Sequence, residues 1–334
     1  MTTFNAILMT MSLALAATAG ASATVPPAPA AVAADPAPVE EVEEVVVNGE
    51  RAGPGLWKVR KGDHTLYLLA TLAPAPKKLE WRSREVEEVL ARAQVFVPAR
   101  FEVDADIGPI SGLRLYLQYR KLRGNDDGRS LQEVLPPPVF ARFEALRLKY
   151  APRDRSMLER RPTLAVGELW RAAVDRSGLS SRSEVGNAVE KLARKSKVKV
   201  VRPAVRIEDP KDTLAEVGQI PLTAEVACAE AVLGRLESDL ANARQRAESW
   251  AVGDVAGLRS GAAAQASQTC LDTLRNSARI SAVLRDFETA WLKTVTDSLE
   301  RNPVTLAVTD IDGLLRSGGL LAQLRARGYE IDEP

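Results

Sequence analysis

The sequence predicts an α/β fold in which a small mixed sheet carries a largely helical insertion. Three observations point there. Two apolar runs, residues 56–60 and 65–71, flank Lys61-Gly-Asp-His64 and read as a hairpin whose second strand is buried. Apolar residues then recur at helical spacing through residues 111–196 and 223–299. Residues 304–308 form one more apolar run, ahead of a turn, a short helix and a closing strand.

Ahead of the hairpin, residues 7–23 make a small apolar run ending in Ala19-Gly-Ala21 and Ala21-Ser-Ala23, the pattern of a secretory signal cut after Ala23. No Lys or Arg precedes it, and an uncleaved anchor is the other reading. Against that, the run is short and diluted with Thr, Ser and Gly, where a spanning helix needs about 20 apolar residues. Cleavage leaves no transmembrane segment and places the protein in the periplasm. Residues 24–54 are rich in Ala, Pro, Val and Glu without an aromatic residue, so they predict a disordered linker that cannot offset its ordering entropy. Within it, Val42-Glu-Glu-Val-Val-Val-Asn-Gly-Glu-Arg51 resembles the leader of TonB-dependent receptors; an acidic, β-prone linker end accounts for it equally well. The folded domain is expected over residues 55–334.

A helix follows from Ser83, a candidate N-cap, through Val86, Val89, Leu90 and Ala93, and residues 94–98 are a short strand. This β-α-β order predicts a parallel pair, with a site at the strand's C-terminal end near Ala70 to Ala73. The helical stretch is broken by Gly124-Asn-Asp-Asp-Gly128 and Pro136-Pro-Pro138. Leu113, Tyr116, Leu117 and Arg120 mark a first amphipathic helix there, Phe140, Phe143, Leu146, Leu148 and Tyr150 a second. Arg160-Arg-Pro162 opens a third, with Leu164, Val166, Leu169, Trp170 and Val174 at helical spacing, and residues 197–201 return to a strand. Thr223 is the expected N-cap of the longest helix, whose Val226, Ala229, Leu233, Leu236, Leu240, Ala243, Ala247 and Trp250 form a seam of about 40 Å. Asp254 is expected to cap the return helix. Ile280, Val283, Leu284, Phe287, Trp291, Val295 and Leu299 line a last long helix as core, and Pro303 ends it.

Composition narrows the function classes. With 46% hydrophobic and 27% charged residues among 334, the chain has the balance of a globular protein, and its net charge of +1 gives no footprint for nucleic acid. The basic run 191–199 reads as a solvated helix face. Cys228 and Cys270 form an even pair that in an oxidising compartment bridges, closing a loop worth roughly 4 kcal/mol in the chain-entropy picture; two buried free thiols are the alternative. A straight return helix would leave Cys270 about 10 Å short of Cys228, so a bridge requires residues 260–265 to leave the helix.

Residues 66–83 read Leu-Tyr-Leu-Leu-Ala-Thr-Leu-Ala-Pro-Ala-Pro-Lys-Lys-Leu-Glu-Trp-Arg-Ser, and residues 304–330 end in Gly319, Leu320, Leu321, Leu324, Arg325, Arg327, Gly328 and Tyr329. Both stretches resemble the TraB/GumN family, the first its "vyLfGTiH" strand and "lp.gl.WRs" turn, the second its "G.l..Lr.rGy.v" tail. On that resemblance the family glycine is Ala70, the threonine is kept as Thr71, and the first histidine position is Ala73. The second motif, "vGagH", falls on Val308-Thr309-Asp310-Ile311-Asp312, which puts Asp312 at the other histidine, with one extra residue before Gly319. The family's two glutamates fall on Phe96-Val97-Pro98 and on Val200-Val201-Arg202-Pro203, and neither is present. The family resembles metal-dependent hydrolases of the Tiki type, so the resemblance implies ligand positions that here are Ala73, Pro98 and Asp312.

The residues themselves offer little chemistry. His64 is the sole histidine and reads as a strand-edge residue; histidine or cysteine zinc sites need several such ligands. No G-x-S-x-G elbow and no glycine-rich phosphate loop is present. Asp310 and Asp312, with Asp104 or Asp106 if the loop after Pro98 folds back, could hold a hard ion, and Asp310, Asp312 and Glu80 could pair as acid and base. As strand-end residues, the two aspartates also suit helix caps. Thr71, Lys77 and Arg82 could hold an anion near the same strand end, or Trp81 and Arg82 anchor the turn. The expectation is an exported protein with a degenerate site, no metal and no cofactor, serving as an envelope binding or assembly factor beside a protein or polysaccharide-related partner. The alternative is a hydrolase using Asp310 and Asp312.

Overall fold

Strand β1 (Leu56–Lys61) and strand β2 (His64–Thr71) pair antiparallel from Leu56↔Leu69 to Lys61↔His64. Gly62 takes φ +61° in the tight connection, where a Cβ would be strained. The computed structural model describes residues 53–334 apart from 106, 260–268, 271, 273 and 276. The expected signal segment, nearly all of the linker with residues 42–51, Asp106 and the break at residues 260–265 lie outside the described residues.

From Leu66 onward every residue of β2 is buried, so both its faces need cover and both its edges a neighbour. One neighbour is β1; the other is a strand from the far end of the chain. In chain order the further strands are β3 (Ala75–Pro76), β4 (Val95–Val97), β5 (Glu102–Asp104), β6 (Leu179–Ser180), β7 (Lys199–Val200), β8 (Ala204–Arg206), β9 (Val304–Asp310) and β10 (Glu330–Asp332). The main sheet runs β10-β1-β2-β9-β4-β7, with β2, β9, β4 and β7 parallel and β1 and β10 antiparallel at one edge. The α/β expectation therefore holds. The expected parallel pair forms differently: β2 and β4 run the same way on either side of β9, because the seven-residue apolar β9 satisfies both.

Helices among the described residues include α1 (Arg84–Arg92), α2 (Pro109–Leu122), α3 (Leu131–Val134), α4 (Pro137–Tyr150), α5 (Pro162–Arg176), α6 (Glu184–Lys195), α7 (Pro210–Val217), α8 (Leu222–Ala251), α9 (Val255–Arg259), α10 (Ala278–Arg301), α11 (Ile311–Leu315) and α12 (Leu320–Ala326). α1 buries Val86, Val89 and Leu90, α6 buries Val185 and Val189, and α10 buries Trp291, Val295 and Leu299, all in one core with the sheet. A second core joins α4, α5 and α8 through Phe143, Leu169, Trp170 and Leu233. Ala247 and Trp250, at the end of α8, belong to the sheet core, so this helix ties the two cores together.

Some local expectations shift. Ser83 precedes α1 but its hydroxyl bonds the Glu87 side chain instead of capping. α8 starts at Leu222 behind Pro221, so Thr223 falls inside the first turn; Arg161 holds the Gly218 and Ile220 carbonyls and fixes the chain just before it. Asp254 does cap α9, accepting from the Gly257 N–H at 2.9 Å. In α2 the buried line runs through Leu115 with Tyr119 and Leu122 half-buried, leaving Leu113, Tyr116 and Leu117 exposed. Both lines have helical spacing, and docking on α7, with Gln118 donating to the Lys211 carbonyl at 3.1 Å, selects the former. Cys228 and Cys270 are joined in a disulfide with Cα atoms 4.6 Å apart.

Candidate functional site

Parallel strands bring their C-terminal ends to one edge of the sheet, and β2 and β9 end in register there, Thr71 opposite Asp310. Thr71 is buried and its Oγ1 donates to the Thr309 carbonyl at 3.1 Å, so its hydroxyl proton serves the strand pair. Ala70 is fully buried, and its carbonyl accepts from Trp250 Nε1 at 2.6 Å. Trp81, from the turn after β2, packs edge-on to Trp250 with ring centroids 6.0 Å apart. The end of α8 is thus fastened to the end of β2, and Trp81 anchors the intervening turn on the same indole.

Asp310 ends β9 and opens α11. Its Oδ1 accepts from the Gly313 N–H at 2.5 Å, the capping role its position allowed. A Cβ on residue 313 would come within 2.6 Å of Asp310 Oδ2, so glycine is required for the cap to close. Protein packed around the carboxyl raises its pKa above the ordinary value; the Gly313 N–H opposes this, and the Asp312 charge reinforces it. Part of the residue still reaches solvent, which moderates the effect.

Asp312, two residues on, accepts from Arg246 Nη2 at 2.9 Å, both side chains being largely covered. Arg246 Nε is buried without a hydrogen-bond partner among the described residues. Sequence reading missed this arginine because it stands beside the α8 seam. The signal was available: Arg246 lies four residues before Trp250, so docking Trp250 on β2 brings Arg246 to the same face one turn earlier.

Pro98 follows β4 on the other side of β9 and is buried, while Ala73 is half-buried in the loop after β2. Beyond β7, Arg202 pairs with Glu190, which also accepts from Arg194 at 2.7 Å. Burial opposes charge at Glu190, yet the two guanidiniums hold its carboxyl below the ordinary range. The edge is therefore furnished with two Arg–carboxylate pairs, Arg246–Asp312 and Arg202–Glu190.

Other sequence candidates lie apart. Lys77 pairs with Asp175 at 2.5 Å, on the exposed end of α5, and Thr71 gives its hydroxyl proton to the Thr309 carbonyl, so each has a protein partner of its own in place of a shared anion. Asp104 sits in the separate β5–β8 pair, 3.6 Å from Arg206. His64 is at the opposite end of β2, its Nδ1 2.8 Å from the Leu299 carbonyl oxygen. A cleft of about 220 Å³ beside the start of β1, lined by Gly53–Leu56, Lys58, Glu85, Gly253 and residues 332–334, takes in none of Thr71, Asp310 or Asp312.

The metal implied by the sequence resemblance does not fit these residues. Ala73 and Pro98 offer no donor, Asp312 is neutralised by a guanidinium, and one Asp310 oxygen is committed to a helix cap. Among the described residues no group of three or more His, Cys, Asp or Glu side chains is arranged to hold an ion. No described helix is long and apolar enough to cross a membrane. A profile of the TraB/PrgY/gumN family matches residues 55–333, and the chain belongs to that family. No curated protein and no solved structure matches it.

Proposed function

From a TraB/PrgY/gumN domain with this site, we propose an exported protein whose ancestral metal-hydrolase centre has been replaced by a salt bridge, and which works as a non-catalytic binding or assembly factor in the cell envelope. The Asp312–Arg246 pair carries the reading, because it places a fixed positive charge against the one family ligand position that still bears a carboxylate. A metal ion would have to displace that guanidinium and recruit further oxygens that Ala73 and Pro98 do not supply. The signal-like residues 7–23 and the Cys228–Cys270 bridge both support export to an oxidising compartment.

The test is a hydrolysis screen with peptide and ester substrates on the mature chain, with and without added divalent metals. The proposal expects no turnover above background; metal-dependent cleavage lost on Asp312→Ala would establish the hydrolase alternative built on Asp310 and Asp312. The partner in this reading is an envelope protein or a polysaccharide-related component. Residues 42–51 enter through their likeness to a TonB-receptor leader: deleting them should weaken co-purification with that partner, and unchanged co-purification removes the leader from the account.

A further inference from the structure

Helix α2 presents an apolar stripe that nothing in the described fold covers. Ile110 is 70% exposed, Leu113 58%, Leu117 53% and Tyr116 46%. The spacing of these residues places them on one face, opposite the Leu115 line that packs toward α7. Scattered exposed leucines need no explanation, but four large apolar side chains in line on one 14-residue helix do.

Charge decides what the stripe suits. Not one acidic residue occurs between Pro109 and Leu122, while Arg114, Arg120 and Lys121 are exposed and pair with no carboxylate among the described residues. At 100° per residue, Arg120 falls within the apolar stripe and Arg114 and Lys121 along its border. The acids of the adjoining helix are gathered elsewhere: Asp209, Asp212 and Glu216 lie 3.5, 3.9 and 3.1 Å from Arg279. A chain of net charge +1 thus carries a local face that is cationic and apolar together.

We propose that α2 lies on an anionic lipid surface, Ile110, Leu113, Tyr116 and Leu117 entering the headgroup boundary and Arg114, Arg120 and Lys121 meeting lipid phosphates. A basic helix lying in the membrane plane binds through this combination of buried apolar area and attraction to anionic lipid. A second copy of the chain is the poorer occupant, since facing α2 helices would bring Arg120 and its neighbours against like charges. The inference stands independently of what the sheet-edge site does.

The experiment is co-sedimentation of the mature chain with phosphatidylcholine vesicles, with and without phosphatidylglycerol. Binding is expected on the anionic vesicles alone, and release by about 0.5 M salt, where surface charge is strongly screened. Arg114→Gln/Arg120→Gln/Lys121→Gln should weaken partitioning roughly hundredfold, and Ile110→Ser/Leu113→Ser/Leu117→Ser should abolish it with thermal melting unchanged. No pelleting with anionic vesicles, or pelleting that both triple variants retain, overturns the proposal. So does a concentration-dependent dimer, or binding of an acidic peptide of the sequence 39–51, that the serine variant removes while vesicles capture no protein.

Discussion

Helix α8 carries an arginine–carboxylate pair near each end, and the two are built differently. Near its start, Glu225 is 1% exposed and accepts from Arg161 Nε at 2.7 Å and from Thr163 Oγ1 at 2.9 Å, and Arg161 completes its set with the Gly218 and Ile220 carbonyls at 3.0 and 3.1 Å. Near its end, Arg246 reaches Asp312 through one nitrogen and leaves Nε without a hydrogen-bond partner among the described residues. Glu225 stands in the first turn, where the helix dipole favours an acid, while Arg246 lies short of the last turn. The saturated pair locks the helical lobe. The unsaturated pair stands where β9 runs into α11, the edge at which we propose the ancestral ligands stood, and it holds charge without closing the structure.

The largest effect should come from breaking the saturated end. Glu225→Gln leaves a buried guanidinium uncompensated and should cost about 3–5 kcal/mol in urea unfolding. Next is the disulfide, which joins α8 at Cys228, one turn beyond Glu225. Cys228→Ser/Cys270→Ser should cost about 2–4 kcal/mol, and amide exchange should rise most in the first half of α8, with the Trp250 end staying protected. Arg246→Gln should cost only about 1 kcal/mol, as for a partly solvated pair. Equal losses for Glu225→Gln and Arg246→Gln would erase the contrast between the two ends.

The smallest effect concerns Asp310, and its sign is diagnostic. Packing raises its folded pKa above the unfolded value, so its carboxyl favours the folded state below the unfolded pKa, and that contribution is lost as pH rises through the folded pKa. Asp310→Asn keeps a capping oxygen without the charge. The variant should melt slightly above wild type at pH 7, and the gain should vanish as pH falls toward about 4. Glu190 runs the opposite way: its lowered pKa gives stability at neutral pH that is lost on acidification, and Glu190→Gln should remove that acid sensitivity.

How much of this could be read in the sequence depended on whether the signal was local. The hairpin was legible because Gly62 and the alternating runs specify it within sixteen residues, and the tail because its strand, turn and helix are contiguous. The place of β9 between β2 and β4 was not, since parallel neighbours far apart in sequence carry no mutual local signal. On α2, Leu113, Tyr116 and Leu117 have the same helical spacing as the Leu115 line, and the choice between them was made by α7. At the site, flanking residues are what assign the motif positions Ala70, Thr71, Ala73, Pro98, Asp310 and Asp312, and the register of β2 on β9 sets Ala70 and Thr71 beside Thr309 and Asp310. What neutralises Asp312 came from Arg246, 66 residues away on another element.

The central claim is that this sheet edge has exchanged a metal centre for a salt bridge. Elemental analysis of the mature chain purified without chelator, beside an Asp310→Ala/Asp312→Ala variant, tests it most directly. The account predicts metal far below stoichiometric in both proteins. One equivalent of a divalent metal in the wild type, lost in the variant, would contradict it.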